Sequence, residues 1–234
     1  MINVAQIQAI SFDLDDTLWP IGPTIERAEA ALHAWLTVHS PMTAALFSSA
    51  EALRDIREYI RVELPKKKPE LKHDLGAVRL EAIRLAMYRA GENPLLAKQA
   101  YQAFYAARNK VDLFSCCREV LSALSARYPL AALSNGNADI QLVGLGAYFK
   151  VAVSAREAKM AKPDSRIFDL TAQKLGVHNA HVLHVGDDAT MDCLGAWRAG
   201  MQTVWVNRSD ALWLHDAPQP VTVSSLTELL TLLS

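Results

Sequence analysis

The sequence predicts an α/β protein: a parallel sheet with helices on both faces, carrying an all-helical bundle inserted after its first strand. Three observations predict it. Residues 7–13 (IQAISFD) form an apolar run that ends in a crowded acidic turn. From about residue 24 to residue 109 the apolar positions recur only at helical spacing. Beyond residue 112, short apolar runs alternate with amphipathic segments, the pattern of strands joined by right-handed helical crossovers.

The elements follow in order. The run 7–13 has the character of a strand buried on both faces. Thr24 is a candidate N-cap for a first helix, with Ile25, Ala28, Leu32, Trp35 and Leu36 at helical spacing. Leu53, Ile56, Ile60 and Leu64 mark a second helix, and Val78, Ala82, Leu85 and Ala86, closed by Gly91, a third. Residues 95–109 make a fourth, giving a small antiparallel bundle. A helix over about 116–127 precedes the strand YPLAALS (128–134), and a helix near 138–143 leads to the strand VAVS (151–154). A helix over roughly 165–175 stops at Gly176. The strand 181–186, a helix over about 189–199, the strand QTVWV (202–206) and a helix over 225–233 complete the chain. The expected division is a core of residues 1–20 and 112–234 and a helical insertion of residues 21–111.

Composition narrows the function classes. The chain has 234 residues, 51% of them hydrophobic, with 24 basic against 25 acidic side chains, so no global basic field is available for nucleic acid or an anionic membrane. The apolar runs are shorter than a bilayer span, and the opening MINVAQIQAI lacks the basic start and cleavage site of a signal peptide. Three cysteines, Cys116, Cys117 and Cys193, suggest packing residues rather than a disulfide framework or a zinc site. A cytoplasmic protein, monomeric or homodimeric, is expected.

Ligands of open parallel sheets bind beyond the carboxyl ends of the strands, and the polar clusters of this chain sit there. SFDLDDTLW (11–19) puts Asp13, Asp15 and Asp16 within four positions; Ser134-Asn135-Gly136-Asn137 and Gly186-Asp187-Asp188 follow two later strands. Asp13 and Asp15, two apart, share a face of an extended chain and repel unless a cation intervenes. With Asp187 they make an oxygen-rich set that suits Mg²⁺ better than zinc. Asp13 is then free to attack phosphorus, and Asp15 to protonate the departing alkoxide and activate water. Thr17 and Ser134 offer hydroxyls to phosphate oxygens, backbone N–H groups around Asn135 and Gly136 can do so at a helix start, and Lys162, fixed extended before Pro163, can neutralise the phosphate charge. Each piece alone has a plainer reading as turn, loop or helix-cap chemistry. Their joint occurrence at three strand ends and one loop is specific.

Together these residues resemble the haloacid dehalogenase-like superfamily: Asp13-Leu14-Asp15-Asp16-Thr17, Ser134, Lys162-Pro163 and Gly186-Asp187-Asp188 with Asp192 are similar to its four motifs in order. The resemblance spans about residues 7–206 and implies a Rossmann-like core with a C1-type helical cap that closes over the substrate. It implies phosphoaspartyl chemistry, with Asp13 as nucleophile and Asp15 as general acid and base. Mg²⁺ is then held by Asp13, the Asp15 backbone carbonyl and Asp187, with Asp188 or Asp192 supporting that shell. SNGNADIQLVGLGAYF and LHVGDDATMDCLGA are most similar to bacterial flavin-pathway phosphatases, implying FMN or 5-amino-6-(5-phosphoribitylamino)uracil as substrate. A phosphomutase, a 2-haloacid dehalogenase and a non-catalytic phosphate-binding module are the alternatives.

Other features read as structural. Lys66, Lys67 and Lys68, between two prolines, suggest a solvated interhelical loop, and His184 a hydrogen-bonded core group. Trp19 either packs or stacks on a planar ring.

Overall fold

A computed structural model describes residues 2–48 and 50–233. The chain divides into two compact units, residues 1–20 with 112–234 and residues 21–111.

The first unit is a six-stranded sheet. Its strands are β1 (Ala9–Phe12), β2 (Leu130–Ser134), β3 (Val151–Ser154), β4 (Val182–Gly186), β5 (Gln202–Val206) and β6 (Val221–Val223). They lie in the order β3-β2-β1-β4-β5-β6, every neighbouring pair parallel. The order reverses between β1 and β4, so the switch point falls where the acidic runs leave the sheet. Successive side chains on a strand face opposite ways. Ala9, Ala131, Leu133, Val153 and Val182 form one buried cluster with Ile167, Phe168, Ala172 and Leu175. Those four come from a helix over Ser165–Leu175, capped by Asp164 and ended by Gly176 in the left-handed conformation. The intervening Ile10, Phe12, Leu130 and Ala132 are equally buried. Burial on both faces explains why these strands read as continuous apolar runs.

The second unit is helical: α1 (Ile21–His39), α2 (Pro41–Leu46), α3 (Ala50–Lys67), α4 (Leu75–Arg89) and α5 (Ala97–Arg108). α1 packs on α5, and α4 on α3 and α5. Leu32, Leu36, Ile56, Ile83, Met87 and Phe104 fill its core. Glu29 accepts from both Arg57 and Arg79 at 2.9 Å, and the Arg79 guanidinium lies 3.6 Å above the Phe104 ring. A groove between α3 and α4 is lined by Tyr59, Leu64, Lys67, Arg84 and Tyr88 and carries none of the motif residues.

Several expectations are corrected. α1 begins at Ile21, with Pro23 in its first turn, so Thr24 is a buried interior residue rather than an N-cap. Lys66 and Lys67 belong to the last turn of α3, which runs through Pro65; Lys66 pairs with Glu63 at 2.5 Å. The helix expected near 138–143 is a turn, closed by Val143 N–H to the Asp139 carbonyl and by Gly144 at φ +79°. The helix expected over 189–199 opens as a π-helical segment, Ala189–Leu194, before the α-helical Gly195–Arg198. β6 and α2 were not foreseen. Among the described residues no helix is long and apolar enough to cross a membrane.

Candidate active site

β1 delivers Asp13, whose N–H donates to the Val185 carbonyl of β4 at 2.9 Å, so the first motif stays registered against the fourth. The chain then turns sharply: Asp16 adopts φ +58°, and its N–H donates to the Trp19 carbonyl at 2.7 Å. Arg208, two residues past β5, donates to the Asp16 and Thr17 carbonyls at 2.9 and 3.0 Å while lying over the Phe114 ring at 3.8 Å. These bonds hold a backbone conformation that a non-glycine residue rarely adopts. The turn aims the Thr17 hydroxyl at Asp187 Oδ1, 2.8 Å away. It also brings the Trp19 indole N–H to Asp15 Oδ1 at 2.8 Å. Trp19 is fully buried, so it packs and holds the Asp15 carboxylate.

Lys162 reaches the same point from the loop after β3. Its ammonium donates to Asp13 Oδ1 and to Asp192 Oδ1, each at 2.5 Å, and its side chain is only 2% exposed. The backbone carrying it is clamped by Asn135. That side-chain amide accepts from the Lys162 N–H at 2.8 Å and donates to the Lys162 carbonyl at 3.0 Å. Asn135 therefore positions the lysine through its side chain. The helix start expected beside it is absent, and the Gly136 N–H donates to Ser134 Oγ at 2.9 Å. Ser134 itself ends β2, buried next to these groups.

The fourth cluster separates its three carboxylates by task. Asp188 caps the π-helical segment, accepting from the Thr190 and Met191 N–H groups at 2.8 and 2.7 Å. Asp192 is buried and accepts from Lys162, from His184 Nε2 at 3.2 Å, and, through Oδ2, from the Asp188 N–H at 3.0 Å. Its approach to the strand requires Gly186, because a Cβ there would overlap the Asp192 carboxyl group. Asp187 receives the Thr17 hydroxyl, and its carbonyl accepts the Trp205 indole N–H at 2.7 Å.

Electrostatics follow from one ammonium among several buried carboxylates. Burial pushes Asp13 well above its ordinary value, with Lys162 opposing and the Asp192 charge adding to the rise. Burial also raises Asp187, to about 6, helped by the Asp192 charge. Asp192 goes the other way: burial disfavours its charge, but Lys162 and the His184 hydrogen bond hold it below the usual carboxylate range. Burial works against the Lys162 ammonium, yet Asp13 and Asp192 raise it. The Lys162 ammonium alone does not balance these carboxylates. One oxygen each of Asp13, Asp187 and Asp192 lies within 4.8 Å of the others. Asp13 and Asp187 accept from Lys162 and Thr17, and Asp192 from Lys162, so all three already have protein donors; a hard divalent cation among them would relieve the repulsion that remains.

Sequence reasoning missed Trp205, Arg208 and Ser11 and gave Trp19 no partner. Arg208 had no legible signal, because it acts across 191 positions on a backbone carbonyl. Ser11 did: a hydroxyl inside a strand buried on both faces needs a partner.

The description of haloacid dehalogenase-like hydrolases matches residues 7–200. The chain is 35% identical over 210 residues to the 5-amino-6-(5-phospho-D-ribitylamino)uracil phosphatase YigB of Escherichia coli, covering 87% of this chain and 84% of that protein. It is 33% identical to the phosphoserine phosphatase of Thermus thermophilus over 57% of this chain and 56% of that protein. Among solved structures, a 2-haloacid dehalogenase from Pseudomonas syringae pv. tomato superposes with a TM-score of 0.88 at 32% identity, covering 97% of this chain and 98% of that one. The matched span takes in all three acidic and hydroxyl-bearing strand ends and the lysine loop between them, and the chain belongs to the haloacid dehalogenase-like hydrolase family.

Proposed function

We propose that the chain is a Mg²⁺-dependent phosphatase that hydrolyses a small phosphate monoester through an aspartyl phosphate on Asp13. The contact of the Lys162 ammonium with Asp13 Oδ1, buried beside Asp187 and Thr17, is the observation that carries the reading. Asp13 attacks phosphorus in line, and the bond from phosphorus to the ester oxygen breaks. Asp15, steadied by Trp19, gives its proton to the departing alkoxide. It then takes a proton from the water that attacks the aspartyl phosphate, releasing inorganic phosphate and restoring Asp13. Lys162, Thr17 and Ser134 hold the phosphoryl oxygens, while Asn135 fixes the lysine backbone. Asp13, Asp187 and the Asp15 carbonyl would hold the Mg²⁺, which supplies charge neutralisation that lets an anionic carboxylate approach an anionic phosphate. Asp192 supports the site by anchoring the lysine. The helical unit, inserted between the first two motifs, is the C1-type cap and carries substrate choice.

Similarity to the E. coli enzyme makes the ribitylaminouracil phosphate the first substrate to try, with FMN beside it. A second reading, hydrolysis of a 2-haloacid, is favoured by the P. syringae structure. Such a reaction uses a nucleophilic carboxylate but has no alkoxide to protonate and no phosphate to neutralise, so it leaves Asp15 and Asp187 without a task. A panel of ribitylaminouracil phosphate, FMN, sugar phosphates, nucleotides and 2-chloropropionate tests both. Phosphate release in the presence of Mg²⁺ supports the proposal. Chloride release with no phosphate release replaces it with the second reading.

A further inference from the structure

We infer that His184 is a positioning residue for Lys162, acting through Asp192, and that Ser11 sets which imidazole nitrogen carries the proton. Ser11 on β1 and His184 on β4 are register partners on neighbouring central strands, both essentially without solvent contact. Ser11 Oγ lies 2.8 Å from His184 Nδ1, and His184 Nε2 lies 3.2 Å from Asp192 Oδ1. An ionised carboxylate only accepts, so Nε2 carries the hydrogen. Nδ1 of the neutral ring must then accept, and the Ser11 hydroxyl is its donor. Phe168 meets the imidazole edge-on, with centroids 5.1 Å apart, and fixes the ring plane.

The chain of donors runs from Ser11 through His184 to Asp192, and Lys162 meets it there. Asp192 Oδ1 takes two donors, Lys162 and His184, while Oδ2 takes the Asp188 N–H. Held on three sides, the carboxylate fixes where the ammonium sits relative to Asp13. The catalytic part of this inference rests on the phosphoaspartyl reading; the tautomer does not.

Two measurements on the full chain test it. Long-range ¹H–¹⁵N correlation of the wild type should find the His184 proton on Nε2 and none on Nδ1. A proton on Nδ1 overturns the inference. For p-nitrophenyl phosphate with Mg²⁺, displacement of Lys162 in His184→Leu should lower kcat/KM by about tenfold or more. His184→Gln, which keeps an N–H at the Nε2 position and a carbonyl for Ser11, should stay within about threefold of wild type if the bond to Asp192 is what matters. Equal losses in the two variants would mean the imidazole is only core packing, and the positioning role falls. If the wild type cleaves no phosphate ester at all, the proposed function fails, and the tautomer alone decides this inference.

Discussion

Lys162→Met removes the ammonium from a cluster in which Asp13 and Asp192 lie 2.5 Å from it, with side-chain exposures of 2% for Lys162, 9% for Asp13 and 2% for Asp192. The methionine fills a similar volume, so the perturbation is chiefly electrostatic: two buried carboxylates lose their shared partner. Stripping one member from a buried ion pair costs about 3–5 kcal/mol. At roughly 2–4 °C per kcal/mol for a protein of this size, the midpoint should drop by about 6–20 °C. Thermal unfolding without metal, followed by tryptophan fluorescence, is a suitable assay, since Trp19, Trp197, Trp205 and Trp213 all belong to the sheet unit. Without the lysine, burial raises both carboxyl groups above the unfolded value of 3.8. The loss should therefore shrink as pH falls toward that value. In the wild type the lysine value is raised above 10.5, so its stabilisation is full below pH 10.5 and declines as pH rises beyond it. Adding Asp192→Asn should recover part of the loss, giving a coupling of about 1.5 kcal/mol or more in the double-mutant cycle. A loss under about 1 kcal/mol at pH 7, or strict additivity, would refute the buried-cluster account.

Three further expectations follow from other contacts. Trp19→Phe keeps an aromatic ring but deletes the N–H bond to Asp15, worth about 1.5–3 kcal/mol for a charged acceptor; kcat for p-nitrophenyl phosphate should fall about tenfold or more, and an unchanged kcat contradicts the role given to the indole. Excess chelator should abolish turnover, with Mg²⁺ restoring it and, at about a hundred times its Kd, adding about 2.7 kcal/mol to unfolding stability; full activity in chelator contradicts the metal assignment. In the helical unit, Glu92 accepts from the Met42 and Thr43 N–H groups and the Thr43 hydroxyl at the start of α2. Burial works against the Glu92 charge, but these bonds hold it below 4.5. Its stabilisation is thus present above pH 4.5 and lost as pH falls through the depressed value, and Glu92→Gln should cost about 1 kcal/mol at neutral pH. Amide protection of Met42 and Thr43 at pH 7 that is the same in Glu92→Gln as in the wild type contradicts it.

The parts of the fold legible in the sequence were those with a local cause. β1, β2 and β4 are runs of largely apolar residues because they are covered on both faces, and each is followed by a polar or acidic cluster. Gly176 ended its helix because it adopts a left-handed cap. Thr24 misled because Thr is a good N-cap in general, whereas here Pro23 already sits inside the first turn of α1. Pro65 suggested a break, yet α3 continues for two further residues. The candidate site was legible in its acids and lysine, because carboxylates crowded after a buried strand have few cheap explanations. The groups that aim them were not. Asn135 was legible as a site residue but not as the clamp of the lysine backbone, and His184 as a hydrogen-bonded core group but without its partners; these contacts, with those of Trp205, Arg208 and Ser11, join segments far apart in the chain that only the fold brings together.

The proposal centres on the carboxylate of Asp13 as the group that receives the phosphoryl. Rapid quenching during p-nitrophenyl phosphate turnover, followed by borohydride reduction and peptide mass spectrometry, tests this directly, because reduction converts an aspartyl phosphate to homoserine. Homoserine at position 13, and its loss together with turnover in Asp13→Asn, is the predicted result. Undiminished turnover in Asp13→Asn, or homoserine at another aspartate, would contradict it.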